Sequence, residues 1–288
     1  MRYDLLALLG VAIFAGTYPA TRLAMAGGVT PLMNASVRIA GAGILAALVL
    51  FLTRAAWPER RTWWRYLVTG AGVGVVFPLA LGYALQLVPA SHAAVVTACL
   101  PLATTAYAGL RGHTLPGRRF WQAGALASVL VLAFSWRHAQ VGISSSVGLA
   151  DGLLLLAMAG AAVGYVEGAR LTTASRPGWQ VISWALVGLL PWVAPVALAC
   201  WLRLDHEVPW TAWGALGYGT VFSMYLGFFP WYAAMAAIGV ARVSQWQYLQ
   251  PFAAVGYAVM LLGESVDVVD LLLAGGVVAS IAWSRRTT

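Results

Sequence analysis

Lysine is absent from this chain, and charge of either sign is scarce: 17 arginines and nine acidic residues leave charged side chains at 9% of 288 residues. A water-soluble chain of ordinary composition carries about 25% charged residues. A soluble fold of this length would therefore lack the charges to cover its surface. The two cysteines, Cys99 and Cys200, both lie inside apolar runs with no metal-ligand pattern around them, which leaves no disulfide framework or zinc motif to build. No Gly-rich phosphate loop, zinc-type His/Glu pair or Ser nucleophile elbow occurs. ATP-driven pumping and membrane hydrolysis thus have no residues to carry them, and no cofactor or metal is expected.

What the sequence does hold is apolar length. Hydrophobic residues make up 61%, mean hydropathy is +0.80, and there are 14 tryptophans, a residue that favours the membrane–water interface. Runs of about 20 apolar residues can cross the hydrocarbon. Ten such spans are expected, at roughly 4–26, 32–53, 63–87, 91–110, 118–136, 148–170, 179–202, 210–236, 241–263 and 267–284. Breakers fill the gaps, among them Gly27-Gly28 with Pro31, Leu115-Pro116-Gly117 and Arg176-Pro177-Gly178. Arg2, an apolar run and Ala24-Met25-Ala26 follow the order of a signal peptide. The run is long enough to span and has a counterpart in the second half, so it reads as a retained helix 1.

Arginine position sets the expected orientation. With the N-terminus in the cytoplasm, 13 arginines face inside and only Arg22, Arg38, Arg137 and Arg203 lie toward the outside. Both termini are then cytoplasmic. The arginines sit in short gaps between spans rather than in a patch, so the net charge of +8 does not point to nucleic acid.

Sliding the sequence by 150 sets Pro101 on Pro251, Tyr107 on Tyr257 and Ala108 on Ala258; sliding it by 148 sets Ala12, Gly16 and Ala20 on Gly160, Gly164 and Gly168. Both triplets are small-xxx-small stripes that let helices approach closely. The fold expected is an all-α membrane protein of ten transmembrane helices, two five-helix repeats at 1–142 and 143–288. Five is odd, so the copies insert with opposite orientation. Inverted repeats give two halves that rock about a central site, which points to transport.

Polar and aromatic residues within the spans are the site candidates. Ser244, Gln247, Tyr248 and Pro251 share one face of helix 9 by helical spacing. Three glutamines in one span are costly against lipid and need a cavity or other helices. Pro251, and its mate Pro101 on helix 4 beside Thr97, Thr104 and Thr105, are candidate backbone breaks that free a carbonyl for a ligand. Tyr218, Phe222, Tyr225, Phe229 and Tyr232 stripe helix 8, either as packing or as cavity wall. Tyr18, Tyr83 and Tyr165 join the candidate wall. Trp246 is either a cap over an apolar ligand group or lipid-facing. Arg22 and Arg38 can bind a carboxylate or snorkel to headgroups. Glu167, with Arg170 three residues on, and His92 at the outer end of helix 4 are the candidate coupling groups. An arginine one turn away keeps a carboxylate charged and makes it a poor proton carrier. A proton gradient is therefore not expected to be obligatory.

Three segments resemble a known family. They are Ala15-Gly16-Thr17-Tyr18-Pro19-Ala20-Thr21-Arg22, then Tyr83-Ala84-Leu85 through Ser91 and Leu100-Pro101-Leu102, then Tyr232-Ala233-Ala234 through Leu249-Gln250-Pro251-Phe252 and Leu261-Leu262-Gly263-Glu264. They are similar to EamA-type transporters of the drug/metabolite transporter superfamily. The first half departs from the pattern with Arg111-Gly112-His113-Thr114 where a Gly-Glu ending is usual. The resemblance implies a secondary transporter of the bacterial inner membrane, an exporter of amino acids and related metabolites. A multidrug exporter is the alternative within transport, and a membrane scaffold the alternative outside it. The expected partners are a small-molecule substrate and the lipid bilayer. Oligomeric state is left open, with a monomer compatible.

Overall fold

The computed structural model describes residues 1–88, 93, 96–97, 99–138, 147–204, 207–262 and 267–285. Among them the chain is helical, with no strand beyond an isolated bridge between Thr173 and Arg176. The helices are α1 (Arg2–Ala26), α2 (Pro31–Leu52), α3 (Arg60–Leu87), α4 (Leu100–Leu110) and α5 (Arg118–His138), then α6 (Val147–Leu171), α7 (Gly178–Leu202) and α8 (Trp210–Ile238). Next comes α9, which runs as Val240–Ser244, a 3-10 stretch Gln245–Leu249 and Gln250–Leu262, and last α10 (Val268–Arg285). Six helices in the described residues, α1, α2, α3, α6, α7 and α8, are long and apolar enough to cross a membrane. The boundary expected near 142 and 143, His92 and the Gly263-Glu264 ending lie outside the described residues.

Local chemistry sets the ends. Thr30 caps α2 by accepting a hydrogen bond from the Met33 amide at 3.2 Å, and Pro31, which has no amide proton to lose, opens the helix. Gly239, at φ 86°, is the only residue between α8 and the first turn of α9. Its left-handed backbone, which a side chain resists, reverses the chain there.

Four of the long rods are not regular. α1 bends at Gly16, where a β-carbon would collide with the Tyr218 hydroxyl, and that hydroxyl donates to the Ile13 carbonyl at 2.8 Å. α3 contains a π-helical stretch, Ala71–Val76, and α8 contains another, Gly219–Leu226. α9 tightens into its 3-10 stretch just before Pro251. A π turn inserts one residue and turns everything beyond it relative to what came before.

The packing repeats itself with partners exchanged. α1 lies on α8 as α6 lies on α3, and α9 meets α1 as α4 meets α6. α2 packs on α7, α4 on α9, and α5 on α10. Contact here is close because apolar tails compete equally for apolar side chains, so association depends on fitting backbones together. Gly72 of α3 meets Gly160 and Gly164 of α6 backbone to backbone, with a β-carbon on Gly72 only 2.9 Å from the Gly164 nitrogen. The stripe at Gly160, Gly164 and Gly168 is thus a close-approach seam, with the Tyr232 ring filling the space beside Gly168. Outward faces carry large apolar side chains: Ile44 is 63% exposed, Leu156 53% and Trp192 62%, which suits lipid rather than water.

Candidate functional site

A void is walled by α1, α2, α3, α6, α8 and α9. Phe14, Tyr165 and Phe228 pack with the buried Trp231 as an aromatic group of stacked, tilted and edge-on pairs, with ring centroids 5.1 to 6.4 Å apart. Tyr18 and Phe77 add aromatic wall, and Thr17, Arg38, Ser223 and Gln250 supply polar groups. The space between atoms, mouth included, is about 450 Å³, but a water centre fits in only about 30 Å³ of it. That is room for about two waters, at the ~10–15 Å³ each needs.

The polar side of the void is organised by Arg38. It is 3% exposed. Its Nη2 donates to Ser223 Oγ at 2.9 Å and its Nη1 to Thr21 Oγ1 at 3.4 Å, while Thr17 Oγ1 lies 2.6 Å from Ser223 Oγ. Nε has no partner. The α8 π stretch makes this possible: it brings Ser223 to the void, and Gly219 has no β-carbon, which would stand 2.6 Å from Arg38 Nε. The reading of Arg38 as snorkelling does not hold. Arg22, one helix away, is exposed and keeps that reading.

The expected site residues separate into those at the void and those that tie helices together. Tyr18 and Tyr165 line it. Thr97 stands next to the Tyr18 hydroxyl, though its own hydroxyl turns back to the Ala93 carbonyl at 2.7 Å. Gln247 is 5% exposed beside the Tyr165 hydroxyl.

The other candidates are elsewhere. Ser244 bridges α9 to α4, 3.3 Å from Thr105 Oγ1 and 3.5 Å from the Pro101 carbonyl. Tyr248 points away from Tyr165 to Ser128 of α5, its hydroxyl 3.4 Å from Ser128 Oγ. The single face expected for Ser244, Gln247, Tyr248 and Pro251 is broken because the 3-10 stretch has three residues per turn, not 3.6. Tyr225 is sealed in the α7–α8 interface, 2.7 Å from Ser183 Oγ, and Tyr83 is 42% exposed; neither lines the void. Pro101 and Pro251 each sit in the first turn of a helical segment that follows a break, so both mark the irregular points of α4 and α9. The Pro101 carbonyl is occupied by Thr105 Oγ1 at 2.9 Å rather than open to a ligand. Trp246 donates to Asp4 at 3.1 Å and is not over the void. The helix 8 stripe is also reorganised by the π turn: Ser223, Met224 and Phe228 reach the void, and Phe222 is 45% exposed.

The EamA-like transporter family matches this chain twice, over residues 1–137 and again over 148–286. The chain belongs to that family. It is 39% identical over 284 residues to an uncharacterized transporter, YdeK, of Bacillus subtilis (strain 168), covering 96% of this chain and 95% of that one. A chain of known crystal structure superposes with a TM-score of 0.81 over 100% of this chain and 99% of its own, at 14% identity, a likeness of fold.

As an EamA-like transporter the protein is membrane-embedded and moves a small molecule; family and relative point away from an enzyme. Its charged cluster sits at the ends of α3, α4 and α6. Glu167 is 1% exposed, with Arg111 Nε at 2.6 Å from Oε1 and Arg65 Nε at 3.5 Å from Oε2. Tyr107 donates to Oε1 at 3.4 Å. Arg170, the partner expected from spacing, instead donates to the Arg111 carbonyl. The local i, i+3 pair gives way to partners from other helices, Arg111 at the end of α4 and Arg65 of α3. A second clasp joins Asp4 of α1 to Arg242 of α9, with Nη2 at 2.8 Å from Oδ2.

Proposed function

We infer that this protein is a secondary transporter of small metabolites, with amino acids the leading cargo, exported across the bacterial inner membrane by alternating access. The observation that carries the reading is the void walled by helices of both halves, with the buried Arg38 beside Thr17, Ser223 and Gln250 on its polar side. Ten transmembrane helices in two inverted repeats, 1–142 and 143–288, are supported by the exchange of packing partners between halves, the π stretches in both α3 and α8, and the two successive family matches. On this arrangement the Glu167 and Asp4 clasps both lie on the cytoplasmic side, and their opening exposes the void to the cell interior. Tyr18, Thr97, Tyr165 and Gln247 form the cargo wall, while Pro101 and Pro251 are the hinge points.

Purified protein in liposomes, given a panel of amino acids in counterflow with no pH difference, is expected to exchange at least one of them. Glu167 is spanned by two arginines and has no role as a proton carrier, so the gradient is dispensable. Gln247→Ala and Tyr165→Phe, which keeps the packed ring, are each expected to lower the rate about tenfold, ~1.4 kcal/mol of lost cargo interaction, at unchanged folded yield. Exchange that needs the gradient, or full activity in both variants, overturns the reading. The topology has its own check. A cytoplasm-dependent reporter fused after Thr288 is expected to be active, and an active periplasmic reporter at that position overturns a cytoplasmic C-terminus.

A further inference from the structure

Burying a cation in a membrane helix is costly, and such residues pair with an opposite charge or face a water-filled path. Arg38 is buried at 3% exposure on the void, and among the described residues no carboxylate forms an ion pair with it. The contrast with the rest of the chain is plain. Glu167 takes two arginines, and Asp4 takes Arg242. Arg38 has only the hydroxyls of Thr21 and Ser223, which are neutral. A guanidinium presents five N–H donors in a planar fork. Two of these groups meet hydroxyls, and Nε meets nothing.

The surroundings are suited to receiving an anion. Ser223 and Thr17 hydroxyls lie within hydrogen-bond distance of each other beside the guanidinium, and either can turn its proton toward an incoming oxygen. None of the residues lining the void is acidic, so nothing there competes for the fork. The rest of the wall is aromatic: Phe14, Tyr18, Phe77, Tyr165 and Phe228. One fixed positive charge beside an apolar chamber matches one negative charge on an apolar body. A phosphate dianion would leave a second charge unmatched.

We propose that Arg38 is the cargo-binding cation of this transporter and that it takes a carboxylate, so that every cargo presents one. The inference rests on the void being the cargo site and adds the chemical class of what enters it. The π stretch of α8 has a direct part, since it holds Ser223 against Nη2 and sets Gly219 where a side chain would displace the fork. Cationic amphiphiles are excluded as cargo by the same charge.

The test uses matched probes on the full-length protein in detergent and in liposomes: phenylacetate, its amide phenylacetamide, and phenethylammonium. Phenylacetate is expected to raise the melting temperature in a concentration-dependent way, at least tenfold more potently than the amide, with no effect from the ammonium compound. Arg38→Gln is expected to erase the difference between acid and amide, and Arg38→Lys to keep part of it. Where Arg38→Gln does not fold, the acid–amide comparison on the wild-type protein decides alone. Equal stabilisation by acid and amide overturns the proposal, as does stabilisation by phenethylammonium. The transport reading fails separately: binding of the acid without any flux leaves the carboxylate site standing and removes transport, whereas equal flux of acid and amide does the reverse.

Discussion

A single methyl group on Gly72 is expected to abolish the folded protein. In Gly72→Ala the new carbon meets the backbone of α6: the carbonyl of Gly160, the nitrogen of Gly164 at 2.9 Å and its α-carbon at 3.1 Å. Side chains can rotate away from an intruder, but a helix backbone can only move as a whole. Overpacking of a tight interior costs about 1–3 kcal/mol where side chains yield. Here the cost exceeds ~3 kcal/mol, because α3 and α6 must separate along their length. Gly152→Ala provides the control, since nothing lies within 4 Å of its would-be β-carbon. It should be neutral or more stable by up to ~1 kcal/mol, as alanine favours a helix. Yield of monodisperse protein and its melting temperature read both. A Gly72→Ala protein melting with the wild type would mean that α3 and α6 do not touch as described.

Glu167→Gln is expected to destabilise the protein by ~2–3 kcal/mol. Removing one partner of a fully buried ion pair costs about 3–5 kcal/mol. Arg111 and Arg65 are 34% and 24% exposed, so water relieves part of the charge left behind. The loss comes from cations held together without their anion, so removing a second charge should restore stability. Glu167→Gln with Arg111→Gln is therefore expected to melt above Glu167→Gln alone. If the double variant is weaker by the sum of the single losses, Arg111 and Glu167 are not coupled.

Helix positions were largely readable from the chain. The expected 32–53 and 179–202 became Pro31–Leu52 and Gly178–Leu202, because long apolar runs end at prolines and glycines whose backbone chemistry fixes the boundary. The close-approach stripe at Gly160, Gly164 and Gly168 was readable for the same reason: absence of a side chain is visible in a sequence. The interior breaks were not. Whether a carbonyl pairs four or five residues on leaves no mark in a helix that is apolar all round, since no polar face records the rotation. That is why helical spacing groups Tyr248 and Ser244 with Gln247, and why the aromatic pattern picks out Phe222 and Tyr225 but passes over Ser223. Arg38 shows a further gap. Its depth along α2 can be counted from the helix end, but its direction depends on Thr21 and Ser223, 17 and 185 residues away. Glu167 illustrates the opposite error, since a correct local rule named Arg170 and the fold supplied Arg111.

The lone charge at Arg38 also bears on energy supply. Over a full transport cycle the protein returns to its starting state, so the net charge moved is that of the cargo alone. An acid without an ammonium group carries one negative charge outward. An inside-negative membrane potential of 100 mV contributes about 2.3 kcal/mol to that step, enough for roughly fiftyfold accumulation outside. A zwitterionic amino acid on the same arginine feels none of this and only equilibrates. The membrane voltage would then sort what leaves the cell among ligands that the binding site itself treats alike.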